Sequence, residues 1–272
     1  MKFKSHFLLF GACIGLVLAG QAVFGDSPVF SPYQGGRLVK DVPQKSPIVL
    51  ELFTSQSCSS CPPADLLLQD LAKRQNVIAL SCHVTYWNHL SWKDTLSHEF
   101  CTERQNNYSR ARGSQSRFTP ELVVNGHTSL IGSRSYVIED ALDALNGELL
   151  PVSVTQDQGG YALHIPASHK ISKDHITVQI VYFGEEETVS LGRGENSGLS
   201  VPYTNPVTQI STLHPNTLRD ADSKIVTHLD QSDIPSGQKG FAVLVYAKDA
   251  PHGSLLAAGQ SLIPSSSSTD PK

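Results

Sequence analysis

Residues 48–65 read Ile48-Val-Leu-Glu51-Leu-Phe-Thr-Ser-Gln-Ser57-Cys58-Ser-Ser-Cys61-Pro-Pro-Ala-Asp65, and their reading decides the fold. Ile48 to Phe53 is a short apolar run of strand formers, the length of one buried strand. A polar Thr-Ser-Gln-Ser loop follows. Ala64, Leu67, Leu68, Leu71 and Ala72 then recur at helical spacing, so one face of a helix packs inward. Pro62 and Pro63 fall in its first turn, where a missing N–H costs little. Cys58 and Cys61 therefore sit at a helix start and face one another across one turn. Free N–H groups and the positive end of the helix dipole favour a thiolate there. Cys58 is expected to be the exposed nucleophile and Cys61 the resolving thiol. The same C-x-x-C spacing also serves zinc or copper sites and inert structural bridges.

Working outward, Val77 to Val84 is a second apolar strand, and Ser97 to Arg112 is helical, with Cys101, Arg104, Gln105 and Tyr108 along one side. Thr119-Pro120 precedes a Leu122–Val124 strand. Asn125-Gly126 is a two-residue hairpin turn, and His127 to Ile131 returns beside it. Val137, Ile138, Ala141, Leu142 and Leu145 form a last helix face. The order is strand, helix, strand, helix, strand, strand, helix, which predicts an α/β fold: a thioredoxin-like mixed sheet flanked by helices over residues 47–150. Thioredoxin-like folds place a cis proline opposite the cysteine pair, so Thr119-Pro120 fits the redox reading; an ordinary trans proline entering a strand is the alternative. The backbone of Thr119 suits an extended peptide partner.

After Pro151 the texture changes. Val152–Val154, Tyr161–Ile165, Ile176–Phe183 and Phe241–Tyr246 are strand-like, and residues 151–263 are expected to form a smaller β-rich, sandwich-like module. Residues 26–46 read as a flexible lead-in and 264–272 as a disordered Ser-rich tail.

At the N-terminus, Lys2 and Lys4 precede an apolar run from Phe7 to Ala19, and small residues follow at Gly20, Ala22 and Gly25. This describes a secretory signal peptide over residues 1–25, too short for a comfortable membrane span. The chain is expected to be secreted or periplasmic, with no stable span after cleavage. A net charge of −4 over 272 residues, without a basic stripe, excludes nucleic acid as a natural partner. In an oxidising compartment the four cysteines after the leader can pair: 58/61 is one natural bridge, and Cys82 with Cys101 are either a second bridge or two separate buried thiols.

Four further residues are candidates to support the dithiol. Glu51 shares a strand face with Val49 and Phe53; it either relays protons to the resolving cysteine or is tied to a lysine or a backbone donor. His83 ends the second strand and either tunes Cys58, joins Cys58 and Cys61 on a metal, or is structural. Trp87, with Trp92, either lines a peptide groove or packs over the sheet. Arg104 and Tyr108, four apart, share a helix face and fix the loop above it.

The run Glu51–Asp65 resembles the signature of the secreted thioredoxin-like proteins known as domain of unknown function 1223. The match continues through His83-Val-Thr-Tyr-Trp87, Trp92-Lys-Asp94, Arg104-Gln105 with Tyr108, Thr119-Pro120 and Val123-Val-Asn-Gly126. In the second half, Gly192-Arg-Gly-Glu-Asn-Ser-Gly198 and Tyr203-Thr-Asn205 also look like that family. The resemblance implies a bacterial, exported thioredoxin-like protein and no settled substrate. Ser57 stands where the family usually has glycine, and Thr85 and Asn88 where it has aspartates.

Three functions fit these residues. One is a thiol-disulfide oxidoreductase acting on protein or small disulfides with an envelope redox partner, needing no cofactor beyond its own disulfide. The second is copper or zinc binding by Cys58, Cys61 and His83. The third is an envelope binding module in which the bridge is structural.

Overall fold

The computed structural model describes residues 45–168, 171–213, 218–219, 225–248 and 252–264. The expected signal peptide, most of the lead-in and nearly all of the tail lie outside them. The first half runs β1 (Ile48–Thr54), α1 (Pro62–Leu71), β2 (Val77–His83), α2 (Glu99–Ala111), β3 (Glu121–Val124), β4 (Thr128–Ile131) and α3 (Ser135–Asp143). Its sheet has the order β2-β1-β3-β4. β1 and β2 are parallel; β3 is antiparallel to both β1 and β4. The β3–β4 turn uses Asn125 at φ 48° and Gly126 at φ 76°, the left-handed pair that a tight hairpin demands. Gly132 answers to space instead: a Cβ there would stand 2.7 Å from Leu52 Cδ1 and 3.2 Å from Pro120 Cβ.

Among the described residues the regular elements of the second half are strands, with two short 3₁₀ turns: β5 (Leu150–Pro151), β6 (Ser153–Gln156), β7 (Gly160–Ile165), β8 (Ile176–Phe183), β9 (Glu187–Ser190), β10 (Ser200–Tyr203), β11 (Val207–Leu213), β12 (Leu218–Arg219), β13 (Ile225–Asp230), β14 (Gly240–Ala247) and β15 (Leu255–Leu262). It makes a five-stranded sheet, β11-β8-β14-β15-β5, a four-stranded sheet, β12-β13-β7-β6, and the separate β9–β10 hairpin.

Strand alternation explains how these layers stack. Leu50 and Leu52 of β1 join Ala64, Leu68, Leu71, Ile138 and Leu142 under α1 and α3. Val49 and Phe53, on the opposite face, join Tyr108 of α2 and Val181, Phe183, Ala242, Leu244 and Tyr246 of the five-stranded sheet. The other face of that sheet packs Ile180, Tyr182, Phe241 and Val243 against Tyr161, Leu163, Ile165 and Leu229. The boundary expected near residue 150 therefore marks a change from α/β to all-β texture, while apolar packing runs continuously across it. The described residues cluster as one unit. The free edge of β2 is also covered by the second half: Ser81 N donates to Asn205 O at 3.2 Å, and Asn205 Nδ2 donates to Ala79 O at 2.9 Å. This caps the edge strand at its middle.

Candidate functional site

Cys61 is the residue immediately before α1, and Pro62 and Pro63 occupy its first positions. Cys58 and Cys61 form a disulfide. The turn between them is closed by Cys61 N donating to Cys58 O at 3.1 Å, and Cys58 N donates to Ser55 O at 3.1 Å. Ser59 and Ser60 at the tip are exposed. Ser60 Oγ lies 3.4 Å from Cys58 Sγ and 3.4 Å from Thr119 O, and the Thr119–Pro120 bond is cis. Trp87 Nε1 donates to Thr119 Oγ1 at 2.8 Å. Cys58, Cys61, Thr119, Pro120 and Trp87, remote in sequence, thus gather in one neighbourhood at the end of β1.

The expected exposure of Cys58 is not found: it is 3% exposed, and Cys61 0%. The cysteine loop is held from two sides. Ser57 Oγ donates to Trp92 O, Gln56 N donates to Asp94 Oδ2 at 2.9 Å, and Trp92 Nε1 donates to Gln56 Oε1 at 2.8 Å. From the second half, Asn196 Nδ2 donates to Gln56 O and to Cys58 O, both at 2.9 Å. Between these flanks lies a cleft of about 200 Å³ lined by Ser57, Leu90, Ser91, Trp92, Gly194 and Glu195.

His83 is wholly buried, with Nδ1 2.8 Å from Asp94 Oδ2 and its ring edge-on to Tyr203 at 4.7 Å. Burial disfavours the charge on Asp94, but His83 and the N–H groups of Gln56 and Leu96 outweigh it and hold the carboxyl below its ordinary value. Asp65, in the first turn of α1, is 2% exposed, and neither of its oxygens reaches a hydrogen-bond partner. Burial pushes its carboxyl well above the ordinary range, and the nearby Asp94 carboxylate adds to this. A carboxyl raised in this way favours its neutral form, which is how a buried carboxyl avoids a large desolvation penalty.

Glu51 and Arg104 lie elsewhere. The Glu51 carboxylate accepts from Arg104 Nε at 2.5 Å, from Arg104 Nη2 at 3.1 Å and from the Tyr108 hydroxyl, on the face of β1 turned toward α2 and the five-stranded sheet. The structural partner of Glu51 is thus an arginine, not a lysine or a backbone group. Arg104 is 3% exposed and fixes the packing of the halves rather than the loop above its helix. Cys82 and Cys101 form the second disulfide, joining β2 to α2. His83 stands with Asp94 rather than with the cysteines on a metal. Among the described residues no group of three or more His, Cys, Asp or Glu is arranged to hold a metal ion.

Gln56 carries no site signal in the sequence; Asp94 stands there only within the Trp92-Lys-Asp94 match, and Asn196 only as a residue of the glycine-rich loop 192–198 that could contact the first half. Asp94 follows Trp92 after one lysine in a loop without periodicity, and nothing marks it as the partner of His83. Asn196 sits in a glycine-rich loop 138 residues from Cys58.

A mixed α/β protein with a disulfide closing the turn into its first helix, and a buried His–Asp pair and carboxyl behind it, is the class defined by this fold and site. The chain belongs to the family described as protein of unknown function (DUF1223), whose model matches residues 49–246. It is similar to the crystal structure of protein AGR_C_4864 from Agrobacterium tumefaciens, at 30% identity over 80% of this chain and 96% of that one, with a TM-score of 0.65. It also shares a fold with HBP35 of Porphyromonas gingivalis, at 14% identity over 80% of this chain and 76% of that one, with a TM-score of 0.52. No curated protein matches the chain.

Proposed function

We propose that the protein is an exported, thioredoxin-like thiol-disulfide oxidoreductase of the bacterial envelope, acting on protein or small disulfides through Cys58 and Cys61. The observation that carries this reading is the Cys58–Cys61 disulfide at the entry to α1, directly after a central strand and beside the Thr119 carbonyl. The parallel β1–β2 pair, the antiparallel β3–β4 hairpin and the cis Thr119–Pro120 bond support the thioredoxin-like part. The apolar run Phe7–Ala19 behind Lys2 and Lys4 supports export.

In the reducing direction, the Cys58 thiolate attacks one sulfur of a substrate disulfide. A mixed disulfide forms, the substrate S–S bond breaks, and the departing thiolate takes a proton from solvent. The Cys61 thiolate then attacks Cys58 Sγ, which restores the Cys58–Cys61 bond and releases the second substrate thiol. Two electrons pass from the dithiol to the substrate; the reverse sequence oxidises a substrate dithiol. The helix start favours the Cys58 thiolate. With Cys58 only 3% exposed, the flanking loops must yield before a partner sulfur reaches it.

The test is mixed-disulfide trapping. Reduced Cys61→Ser protein, given a small disulfide, gains the mass of one substrate half at Cys58 and keeps it, while wild type releases it. An unlabelled Cys58 ends the reading. The burial of both cysteines favours a second one, in which the bridge is structural and the β-rich half does the recognition. That reading requires binding of an envelope partner to survive serine at both positions.

A further inference from the structure

We propose that Asn196, from the β-rich half, is a positioning residue that sets the stability of the Cys58–Cys61 disulfide by clamping the turn on which it is built. The inference rests on the oxidoreductase reading and names a residue outside the cysteine motif that tunes it.

A carboxamide nitrogen carries two hydrogens. Asn196 spends both on the cysteine loop, one on Gln56 O and one on Cys58 O, each at 2.9 Å, and the residue is 4% exposed. The two accepting carbonyls belong to the peptide planes before Ser57 and after Cys58, so the Ser57–Cys58 segment is held at both ends. Cys58 O also accepts the Cys61 N–H that closes the turn. The carbonyl at the centre of the redox turn therefore takes one bond from its own loop and one from a residue 138 positions away.

Asn196 is delivered by a stiff support. Its loop is closed on itself by Leu191 N to Leu199 O and Gly198 N to Leu191 O, both at 2.8 Å, and by Leu199 N to Asn196 O at 3.1 Å. Gly194 and Gly198 take the positive φ values of 80° and 87° that the loop needs. Below it, Leu191, Val201 and Tyr203 share a small apolar cluster with Trp92 and Leu96 of the first half. The side chain is thus held in place before any chemistry begins.

When the disulfide is reduced, the covalent closure of the turn is lost but these hydrogen bonds are not. They keep the Cys58 backbone where it lay, so each thiol stays at high effective concentration for the other. A pre-positioned pair loses less freedom on closing, which favours the disulfide and lowers its reduction potential. Without the clamp the reduced loop explores more conformations, and the disulfide becomes easier to reduce.

The experiment is a redox titration of full-length wild type, Asn196→Ala and Asn196→Asp, with Leu199→Ala as a control in the same loop, whose side chain is 45% exposed. Asn196→Asp keeps the shape but presents oxygen to both carbonyls. Both Asn196 variants are expected to lower the effective concentration three- to tenfold, a rise of roughly 15–30 mV at 29.6 mV per tenfold, with Leu199→Ala unchanged. Equal potentials in all four proteins, or an equal shift in Leu199→Ala, overturn the inference. Amide hydrogen exchange separates it from the reading beneath it. If wild type shows no couple at any poise, the oxidoreductase reading fails. The clamp then stands or falls on whether Asn196→Ala speeds exchange at Cys58 and Cys61.

Discussion

Arg104 and Glu51 form a buried, two-pronged ion pair at the junction of the two halves, with guanidinium nitrogens 2.5 and 3.1 Å from the carboxylate oxygens. The guanidinium also donates to Gln179 Oε1 at 2.8 Å and to the Tyr246 hydroxyl at 2.7 Å, both from the five-stranded sheet. Burial opposes its charge, but Glu51, with Tyr108 and Tyr246, outweighs this and lifts the guanidinium well above its ordinary value. Removing one partner leaves a buried charge unpaired. Arg104→Leu is therefore expected to lose about 3–5 kcal/mol of stability, read by urea unfolding at neutral pH. A loss under about 1 kcal/mol, the size of an exposed pair, contradicts the assignment.

Asp65 gives a pH dependence of definite sign. Its folded carboxyl titrates above its unfolded value of 3.8. Between those two values the folded chain holds the proton that the unfolded chain has lost. Unfolding stability from this group is full below the unfolded value and falls as pH rises through the window, by about 1.4 kcal/mol per pH unit. Asp65→Asn removes the titration. The variant should match wild type near pH 3.5 and be the more stable at pH 7, as parallel denaturation curves would show. A variant less stable than wild type at pH 7 is the opposite outcome.

His252 contacts the buried Arg104–Tyr108 cluster from its rim. Its ring lies edge-on to Tyr108 at 5.4 Å. Burial and then the Arg104 charge depress it to about 4, with Glu51 opposing. It is neutral at physiological pH, and its contribution to stability is lost as pH falls from the unfolded value of 6.5 toward 4. An NMR titration of its ring protons should show a midpoint near 4. A midpoint near 6.5 would mean that the ring is solvated and remote from Arg104.

The Cys82–Cys101 bridge closes a loop of 19 residues between β2 and α2, and both cysteines are buried. Its cost of removal follows from chain entropy, about 3 kcal/mol for a loop of this size. The double variant Cys82→Ala, Cys101→Ala should lose that much while the exchange chemistry at Cys58 survives. Loss of exchange without loss of stability would give the second bridge a redox role.

Much of the first half was legible in the sequence because each element there declares itself by period. Ile48–Phe53 and Val77–Val84 are unbroken apolar runs, α1 shows the helical stripe and Asn125-Gly126 forces its turn. The second half is legible at β6 and β7 and most fully where strands are buried on both faces, as in β8 and β14. β9 reads Glu-Thr-Val-Ser and is mostly exposed, so no apolar pattern marks it. β15 contains Ala257, Ala258 and Gly259, poor strand formers whose burial comes from neighbouring strands. β13 alternates buried and exposed residues from Ile225, a period-two signal that was there to be read. At the site, the cysteine pair and Thr119-Pro120 were visible as motifs. His83, Asp94 and Asn196 also lie in family-like motifs, but the covering of Cys58, the His83–Asp94 pairing and the clamp by Asn196 are not legible, because each joins side chains that local periodicity cannot bring together.

The account turns on whether the buried Cys58–Cys61 bond opens and closes under physiological poise. The direct measurement is equilibration of the full-length protein across a graded series of thiol-disulfide buffers, followed by alkylation and intact-mass analysis. The account requires one reversible two-electron transition at residues 58 and 61, with a midpoint between roughly −120 and −270 mV, absent in Cys58→Ser and Cys61→Ser. A pair that stays bonded below roughly −300 mV, as structural bridges do, would contradict it.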